Sequence, residues 1–255
     1  MKSIKIKGLS IGQGSPKIVV SIVEKSSEEI ISKANRLKEM KVDLVEWRLD
    51  YYEDASNISS ILYTLNKLGS VLVHIPLIFT FRTKEEGGQG EISLEEYTRL
   101  NKEVANSGKV DFIDIQMFSD HDIVRENISN IHGSGVLVIG SYHDFYNTPE
   151  KEEIISRMIK MQDMGADILK IALMPKTSSD VITLLDATNA MYSKYANRPL
   201  VTMAMGPLGV ISRIAGEAFG SAMTFASLGQ ESAPGQIPLE DLTQILGIIH
   251  KSMKE

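Results

Sequence analysis

Residues 166–175, ADILKIALMP, place one lysine inside an otherwise apolar run. Ile168, Leu169 and Ile171 belong to a short apolar segment of the kind that is buried on both faces in a parallel sheet. Lys170 interrupts this segment, and burial of an ammonium group is unfavourable unless a partner compensates for it. The stretch therefore predicts a buried parallel strand, and it marks Lys170 as a candidate functional residue.

Seven other stretches have the same character, and longer segments with helical periodicity separate them. Several of the helical segments begin with Ser or Thr followed by acidic residues and end on Gly, as helix capping and the helix dipole favour. The strand candidates are residues 17–22, 42–48, 76–82, 111–116, 136–143, 167–173, 199–205 and 221–227. The helix candidates include residues 26–40, 93–108, 148–165 and 178–196.

This alternation predicts an α/β protein, a (β/α)₈ TIM barrel in one catalytic domain over residues 1–255. Before the first barrel strand, IKIKGLSI at residues 4–11 predicts a small β-hairpin. An open doubly wound sheet is the competing architecture. No G-x-G-x-x-G motif follows the first barrel strand, which weighs against that alternative.

The composition excludes several classes of protein. The chain is 43% hydrophobic and 24% charged, which is ordinary for a globular protein, and its net charge of −6 argues against a nucleic-acid or anionic-membrane surface. The lack of cysteine excludes disulfides and thiolate chemistry and favours the cytoplasm. The first residues lack the apolar core of a signal peptide, and no run approaches the roughly 20 apolar residues of a membrane helix.

The carboxyl ends of the predicted strands carry many polar side chains. In a (β/α)₈ barrel these ends form the functional face. Side chains two apart on a strand share a face, so Glu46 and Arg48 are predicted to point into the barrel while Trp47 packs against the helices. Any one such residue can be a solvated strand end, but together they predict a site. The strand-end residues are Ser21, Glu46, Arg48, Arg82, Asp114, Gln116, His143, Lys170, Met203 and Met205.

Lys170 and His143 suggest the chemistry. A strand-end lysine can extend its amine to water, but a desolvated lysine has a lowered pKa and attacks ketones to form an iminium. His143 ends the preceding strand candidate and suits proton transfer beside an iminium. Asp144 is predicted to face away from His143, so Glu86 or Glu46 is the better candidate to orient the imidazole.

Other features restrict the ligand. With no cysteine, no H-E-x-x-H motif and no histidines at metal-ligand spacing, no metal site is predicted. Residues 81–91 and 230–238 are rich in Gly, Pro and polar residues. This composition is typical of mobile loops that cover a site and also of ordinary surface turns, so both interpretations stay open. The Arg213 guanidinium suits a carboxylate, and the proline in MGPLG at 205–209 disfavours a phosphate cradle. A carboxylate substrate is therefore favoured over a sugar phosphate.

Several motifs resemble the type I 3-dehydroquinate dehydratases of the shikimate pathway. They are VEWRLDYYED from residue 45, FTFRTKEEGG from 79, SYHDF from 141, GADILKIALMP from 165, GVISRIAGEAFGSAMTF from 209 and SAPGQIPLEDL from 232. The resemblance implies a barrel whose N-terminal hairpin closes its bottom, usually as a homodimer. It implies a lyase that converts 3-dehydroquinate to 3-dehydroshikimate by syn loss of water, without metal or organic cofactor.

The resemblance also implies residue roles. Lys170 would form the Schiff base, and His143 would remove the neighbouring proton and then protonate the departing hydroxyl. Glu86 would pair with His143, and Arg213 would hold the substrate carboxylate. The remaining substrate contacts would be Glu46, Arg48 and Arg82 at the ring hydroxyls and the imine, Ser21, Ser232 and Gln236 around the pocket, and Met203, Met205 and Phe225 as apolar walls.

Two positions depart from the family pattern. Gln116 stands where an acidic residue is usual, and Pro207 lies in a segment that is usually rich in Ser and Gly. Both departures concern rate and pH optimum more than reaction type. Another Schiff-base barrel enzyme of the aldolase or transaldolase kind and a non-catalytic ligand-binding barrel stay open as alternatives. The same reaction serves aromatic biosynthesis and quinate breakdown, so the sequence does not distinguish these two roles.

Overall fold

Parallel strands and surrounding helices form a closed barrel. The structure is a computed structural model that describes residues 3–40 and 42–254. Residues 1, 2, 41 and 255, which belong to the predicted domain range, lie outside the described residues. The strands are β1 Ile4–Ile6, β2 Leu9–Ile11, β3 Lys17–Ile22, β4 Leu44–Arg48, β5 Leu77–Thr80, β6 Phe112–Gln116, β7 Leu137–Asp144, β8 Ile168–Leu173, β9 Leu200–Ala204, β10 Met223–Ser227 and β11 Ile237–Pro238.

Strands β3 to β10 are the eight predicted strands, and they pair in parallel in the order β10, β3, β4, β5, β6, β7, β8, β9. The ring closes where β9 meets β10. Leu200 forms a parallel bridge with Ser221, and the N–H of Ala222 donates to the carbonyl of Leu200 at 2.7 Å. The short β11 pairs with the end of β10. The prediction of a (β/α)₈ barrel is confirmed, and the open doubly wound sheet is wrong.

Helices follow the strands. They are α1 Ser27–Lys38, α2 Ile58–Val71, α3 Leu94–Asn106, α4 His121–Gly133, α5 Lys151–Asp163, α6 Ser178–Ala190, α7 Val210–Ile214, α8 Gly216–Phe219 and α9 Leu239–Ser252. Ser26, Ser93 and Thr177 cap α1, α3 and α6 in reciprocal capping boxes. Within residues 3–40 and 42–254, no helix combines the length and apolar character that a membrane span requires.

Strand alternation divides the barrel wall into two packing surfaces. Trp47 faces outward and meets the ring of Phe79 edge to face at 5.8 Å, in the cluster shared with the helices, as predicted. The inward residues nearer the amino ends form a separate apolar cluster that includes Val19, Leu44, Ile78, Phe112, Ile139, Ile168, Val201 and Met223. The next inward positions on β3 to β8 are polar or charged, whereas those on β9 and β10 are Met203 and Phe225. The barrel interior therefore changes from apolar to charged toward the carboxyl ends of its strands.

The N-terminal hairpin closes the amino end of the barrel. Lys7 and Gly8 have φ of 46° and 82°, the two positive values of a type I′ turn between β1 and β2. Ile11 is fully buried in the same cluster as Phe112. Lys7 Nζ donates to Asp111 Oδ2 at 2.8 Å, and Asp111 directly precedes β6. The predicted hairpin and its position are confirmed.

Replacement of Ile11 by Ala should destabilise the barrel by about 2–5 kcal/mol, because it leaves a cavity between the hairpin and the barrel interior. Urea unfolding measures this change in the free energy of unfolding. Ile248, which is 59% exposed on α9, provides the control, since its replacement by Ala should change stability by about 0.5 kcal/mol or less. Equal effects of the two substitutions would contradict a packing role for the hairpin.

Candidate active site

A cavity lies at the carboxyl ends of the barrel strands. Of the residues to which the family resemblance gives a role, all but Ser21 line it: Glu46, Arg48, Arg82, Glu86, His143, Lys170, Met203, Met205, Arg213, Phe225, Ser232 and Gln236. The strand-end residues Asp114 and Gln116 do not line it. Ser21 lies beside the cavity and donates from Oγ to Glu46 Oε2 at 2.5 Å. Gly87, Phe145, Ala172 and Ala233 also line the cavity and were not predicted.

Lys170 is buried next to two carboxylates. Its side chain is 6% exposed, so the alternative in which the amine extends to water is wrong. Lys170 Nζ lies 3.0 Å from Asp114 Oδ2 and 3.8 Å from Glu46 Oε1. It also lies 4.7 Å from the centre of the Phe225 ring, whose face attracts cations. The lysine is therefore desolvated, as predicted, but its ammonium group is ion-paired rather than isolated.

Asp114 holds the centre of this network. Its Oδ1 accepts hydrogen bonds from Arg82 Nη2 at 2.7 Å and from Ser141 Oγ at 2.6 Å. Burial alone would raise the pKa of Asp114, but the charges of Arg82 and Lys170 outweigh burial and hold that pKa well below its usual range. Asp114 is thus a permanent anion between two cations.

Glu46 is the second carboxylate near Lys170. Besides the Ser21 hydroxyl, it accepts a hydrogen bond from Thr80 Oγ1 at 2.8 Å. These two donors come from β3 and β5, on either side of β4. Glu46 is 3% exposed, and both of its oxygens are held by hydroxyl donors. The residue is consequently fixed toward the barrel axis and is not the partner of His143.

His143 pairs with Glu86. His143 Nδ1 lies 2.8 Å from Glu86 Oε2, and Arg82 Nη1 donates to the same oxygen at 3.2 Å. Asp144 faces away, as predicted, and its Oδ1 accepts from the N–H groups of Tyr146 and Asn147. Of the two carboxylates considered for orienting the imidazole, the structure places Glu86 there.

Burial controls the protonation of this pair. Burial raises the pKa of Glu86 to about 7, although the Arg82 charge opposes this shift. Burial, with the charges of Arg82 and Lys170, lowers the pKa of His143 well below its usual value. The imidazole is therefore neutral at pH 7. When Glu86 is ionised, Nδ1–H donates to it and Nε2 carries the free lone pair.

The segment 81–91 is a folded loop that carries Glu86 in a 3₁₀ turn, Lys84–Glu86. Gly87 follows with φ of 80°, and a Cβ there would lie 2.2 Å from the Phe145 ring. The Gln116 side chain contacts the start of the loop. Its Oε1 accepts from the Thr83 N–H at 2.9 Å and its Nε2 donates to Thr83 Oγ1 at 3.0 Å. The Gln116 amide is thus an anchor for this loop.

The segment 230–238 covers the cavity. Gln236 Nε2 donates to Ser232 Oγ at 2.9 Å, and Ser232 Oγ donates to Ser21 Oγ at 3.0 Å. Arg48 Nη1 donates to the Ser232 carbonyl at 3.4 Å. Pro207 begins the 3₁₀ turn Pro207–Gly209, and the N–H of the preceding Gly206 donates to the Pro234 carbonyl of this segment at 3.0 Å. The predicted cover is therefore connected to two barrel strands, β3 and β4.

Arg213 is a buried cation without an acidic partner among the described residues. It is 1% exposed, and its Nη2 donates to the Pro234 carbonyl at 2.8 Å. Its Nε has no hydrogen-bond partner within residues 3–40 and 42–254. Burial lowers the pKa of Arg213 to about 10. Such a desolvated guanidinium is an attractive site for an anion.

Comparisons with known proteins decide the family. The sequence profile described as Type I 3-dehydroquinase matches residues 18–253. The chain belongs to the type I 3-dehydroquinase family. The 3-dehydroquinate dehydratase of Clostridioides difficile (strain 630) is 46% identical over 252 residues, which cover 99% of each chain. That of Escherichia coli (strain K12 / DH10B) is 48% identical over 252 residues, covering 99% of this chain and 100% of the relative.

Solved structures of this family have the same fold. A type I 3-dehydroquinate dehydratase from Clostridium difficile, with covalently modified comenic acid, has a TM-score of 0.96 and 47% identity, covering 98% of this chain and 99% of the other. A 3-dehydroquinate dehydratase from Geobacillus kaustophilus has a TM-score of 0.95 and 36% identity, and the match covers 98% of this chain and 97% of the other. The resemblance seen in the motifs is confirmed, and so is the prediction of this lyase type.

The imidazole of His143 should stay neutral at pH 6.5, where an ordinary histidine is about half protonated. Burial and the nearby Arg82 and Lys170 charges cause this shift. NMR titration of the His143 ring measures it, with His143→Gln identifying the resonance. A midpoint at or above pH 6.5 would contradict the desolvated environment described for this ring.

Proposed function

We propose that this type I 3-dehydroquinase dehydrates 3-dehydroquinate to 3-dehydroshikimate through an iminium on Lys170, as a step of aromatic amino-acid biosynthesis. The observation that carries the proposal is the buried Lys170 ammonium, held by Asp114 in a cavity shared with a neutral His143. Among the described residues, no other lysine lines this cavity. The cavity therefore combines a nucleophile for a ketone with a base for the neighbouring C–H bond.

The charges of the cavity suit a hydroxylated carboxylate. Arg213 supplies a guanidinium that has no acidic partner among the described residues, and such a planar group can bind a carboxylate through two parallel hydrogen bonds. Ser232 and Gln236 supply polar atoms for the ring hydroxyls from the covering segment. Arg48 and Glu46 supply further polar groups from β4, and Arg82 lies beside the imine position. Met203, Met205 and Phe225 give the ring its apolar contacts.

Imine formation leaves the charge on the lysine nitrogen unchanged. One proton passes from the ammonium group to the neutral His143 imidazole, the free amine adds to the ketone carbon, and the proton returns to the resulting hydroxyl as it leaves as water. The product is an iminium, so the nitrogen is cationic before and after the step. Asp114, 3.0 Å from Nζ, serves as counter-ion to both forms. The Phe225 face stabilises the same charge. The covalently modified comenic acid of the Clostridium difficile relative supports covalent chemistry in this family.

His143 then carries out the elimination. Its Nε2 takes the proton from the carbon beside the iminium carbon, and the C–H electron pair forms an enamine. Glu86, on the other side of the ring, stabilises the imidazolium. The imidazolium returns a proton to the hydroxyl on the next carbon as the C–O bond breaks and water leaves. Because one imidazole removes and delivers the proton, both events occur on one face of the ring, which is syn elimination.

Hydrolysis of the remaining iminium releases 3-dehydroshikimate and restores the Lys170 ammonium group. Each step uses side chains of this chain, without a metal or an organic cofactor. We also propose that the enzyme is a cytoplasmic homodimer built from a single catalytic domain over residues 1–255. The location is supported by the absence of cysteine, and the dimer by the family resemblance. Light scattering on purified protein determines the number of copies.

Lys170→Ala should lower turnover of 3-dehydroquinate by at least about 10³-fold, because it removes the covalent nucleophile. The absorbance of the conjugated enone product measures turnover. Lys176→Ala is the control, since Lys176 is exposed and contacts Asn147 outside the cavity. Borohydride added during turnover should leave a ligand adduct on Lys170, identified by peptide mapping. Near wild-type turnover by Lys170→Ala would contradict a mechanism through an iminium on Lys170.

The rate at saturating substrate should fall as the pH is lowered through about 7, where Glu86 gains a proton and no longer stabilises the His143 imidazolium. In Glu86→Gln the rate should drop by about tenfold or more, and this acid limb should disappear. Glu85→Gln, at the exposed neighbouring position, should keep the wild-type profile. An acid limb at the same pH in Glu86→Gln would assign that titration to another group.

A further inference from the structure

Asp50 is a buried carboxylate that lies outside the cavity lining, directly behind it. It belongs to the 3₁₀ turn Leu49–Tyr51 that follows β4, and its side chain is 0% exposed. Both carboxylate oxygens accept two hydrogen bonds each. The four donors come from the β4 end and from both ends of the loop that carries Glu86, so one side chain connects three points of the active-site wall.

The first pair of donors belongs to Arg48. Arg48 Nε donates to Asp50 Oδ1 at 2.8 Å, and Arg48 Nη2 donates to Oδ2 at 2.7 Å. This bidentate ion pair fixes the guanidinium plane. The remaining nitrogen, Nη1, points to the covering segment, where it donates to the Ser232 carbonyl. Asp50 thus determines how a cavity-lining cation is presented.

The second pair of donors belongs to the Glu86 loop. The backbone N–H of Arg82 donates to Oδ1 at 3.3 Å, and the N–H of Gln89 donates to Oδ2 at 3.0 Å. These two amides enclose the turn that carries Glu86. Glu86 in turn contacts His143. The position of the acid–base pair therefore depends on a loop whose two ends are held by Asp50.

The way in which the four hydrogen bonds are divided between the two Asp50 oxygens determines what an amide substitution would change. Each oxygen accepts one hydrogen bond from Arg48 and one from the loop backbone. An amide at this position has one acceptor oxygen and one donor NH₂ group. Whichever way the side-chain amide of the Asp50→Asn variant is oriented, its NH₂ group faces one Arg48 donor and one loop donor. The substitution therefore loosens both partners at once and retains the size of the side chain.

We propose that Asp50 is a positioning residue that fixes Arg48 and the Glu86 loop relative to each other. Through these contacts it aligns a substrate-binding cation with the His143–Glu86 pair. The inference deepens the proposed function and rests on it for its kinetic consequence. Its structural consequence, the fixing of the loop between Arg82 and Gln89, is independent of which substrate the cavity accepts.

Kinetics test the coupling. Asp50→Asn should raise the KM for 3-dehydroquinate, because Arg48 is less well held, and should lower kcat by about tenfold, because the acid–base pair is displaced. In a Glu86→Gln background the effect of Asp50→Asn on kcat should shrink to about twofold or less, since the loop then carries no carboxylate to align. Asp54→Asn, at an exposed position four residues further on, should leave both constants unchanged.

Hydrogen exchange tests the structural part. Peptides that span residues 82–90 should exchange faster in Asp50→Asn than in wild type, while peptides from α5, Lys151–Asp163, should exchange at the wild-type rate. Faster exchange throughout the chain would overturn the proposal by showing general destabilisation. The proposal would also be overturned if exchange at residues 82–90 were unchanged, or if Asp50→Asn lowered kcat equally in wild type and in Glu86→Gln. Either result would show that Asp50 fixes Arg48 but not the Glu86 loop. If wild type lacks turnover, the proposed function fails while the exchange test still decides the role of Asp50.

Discussion

The ion pair between Lys170 and Asp114 is the interaction on which the rest of the active site depends. A lysine ammonium group inside a barrel is tolerated because a permanent anion lies 3.0 Å away. That anion is maintained in turn by Arg82, which also donates to Glu86. The positions of Lys170, Asp114 and the His143–Glu86 pair, which are the proposed nucleophile, counter-ion and acid–base pair, are therefore linked by the Arg82 guanidinium. A change at any of these residues alters the electrostatic balance of the others.

Strand alternation explains how such a charged cluster coexists with a stable fold. The outward face of each strand packs against helices, and the inward face is apolar near the amino ends. The charged inward residues Glu46, Asp114 and Lys170 lie closer to the carboxyl ends. The packing that stabilises the barrel is thus separated along the barrel axis from the groups that carry out chemistry. This separation allows buried ion pairs at one end without interrupting the apolar cluster at the other.

Much of this arrangement was predictable from the sequence, because period-two alternation and strand-end chemistry are local signals. They identified the eight strands, the hairpin and the inward direction of Glu46, and they singled out Lys170 and His143, which the structure brings into one cavity. The partner of Lys170 was not predicted. Asp114 stood among the strand-end residues, but its pairing with a lysine 56 positions away depends on the stagger of neighbouring strands. Asp50, Phe145 and Gly87 were missed for a similar reason, since their importance comes from contacts between loops that alternation does not describe.

The hairpin closes the amino end of the barrel, so the cavity opens at the carboxyl end. Ile11 and its neighbours fill the base, so solvent and reactants exchange on the side where residues 230–238 lie over the cavity. In the proposed mechanism, imine formation releases one water molecule, elimination releases another, and hydrolysis of the final iminium consumes one. These water molecules would enter and leave through the same opening as the substrate. In that mechanism the covering segment, residues 230–238, would control the passage of water as well as of substrate, and its rate of opening would set an upper limit on the rate of turnover.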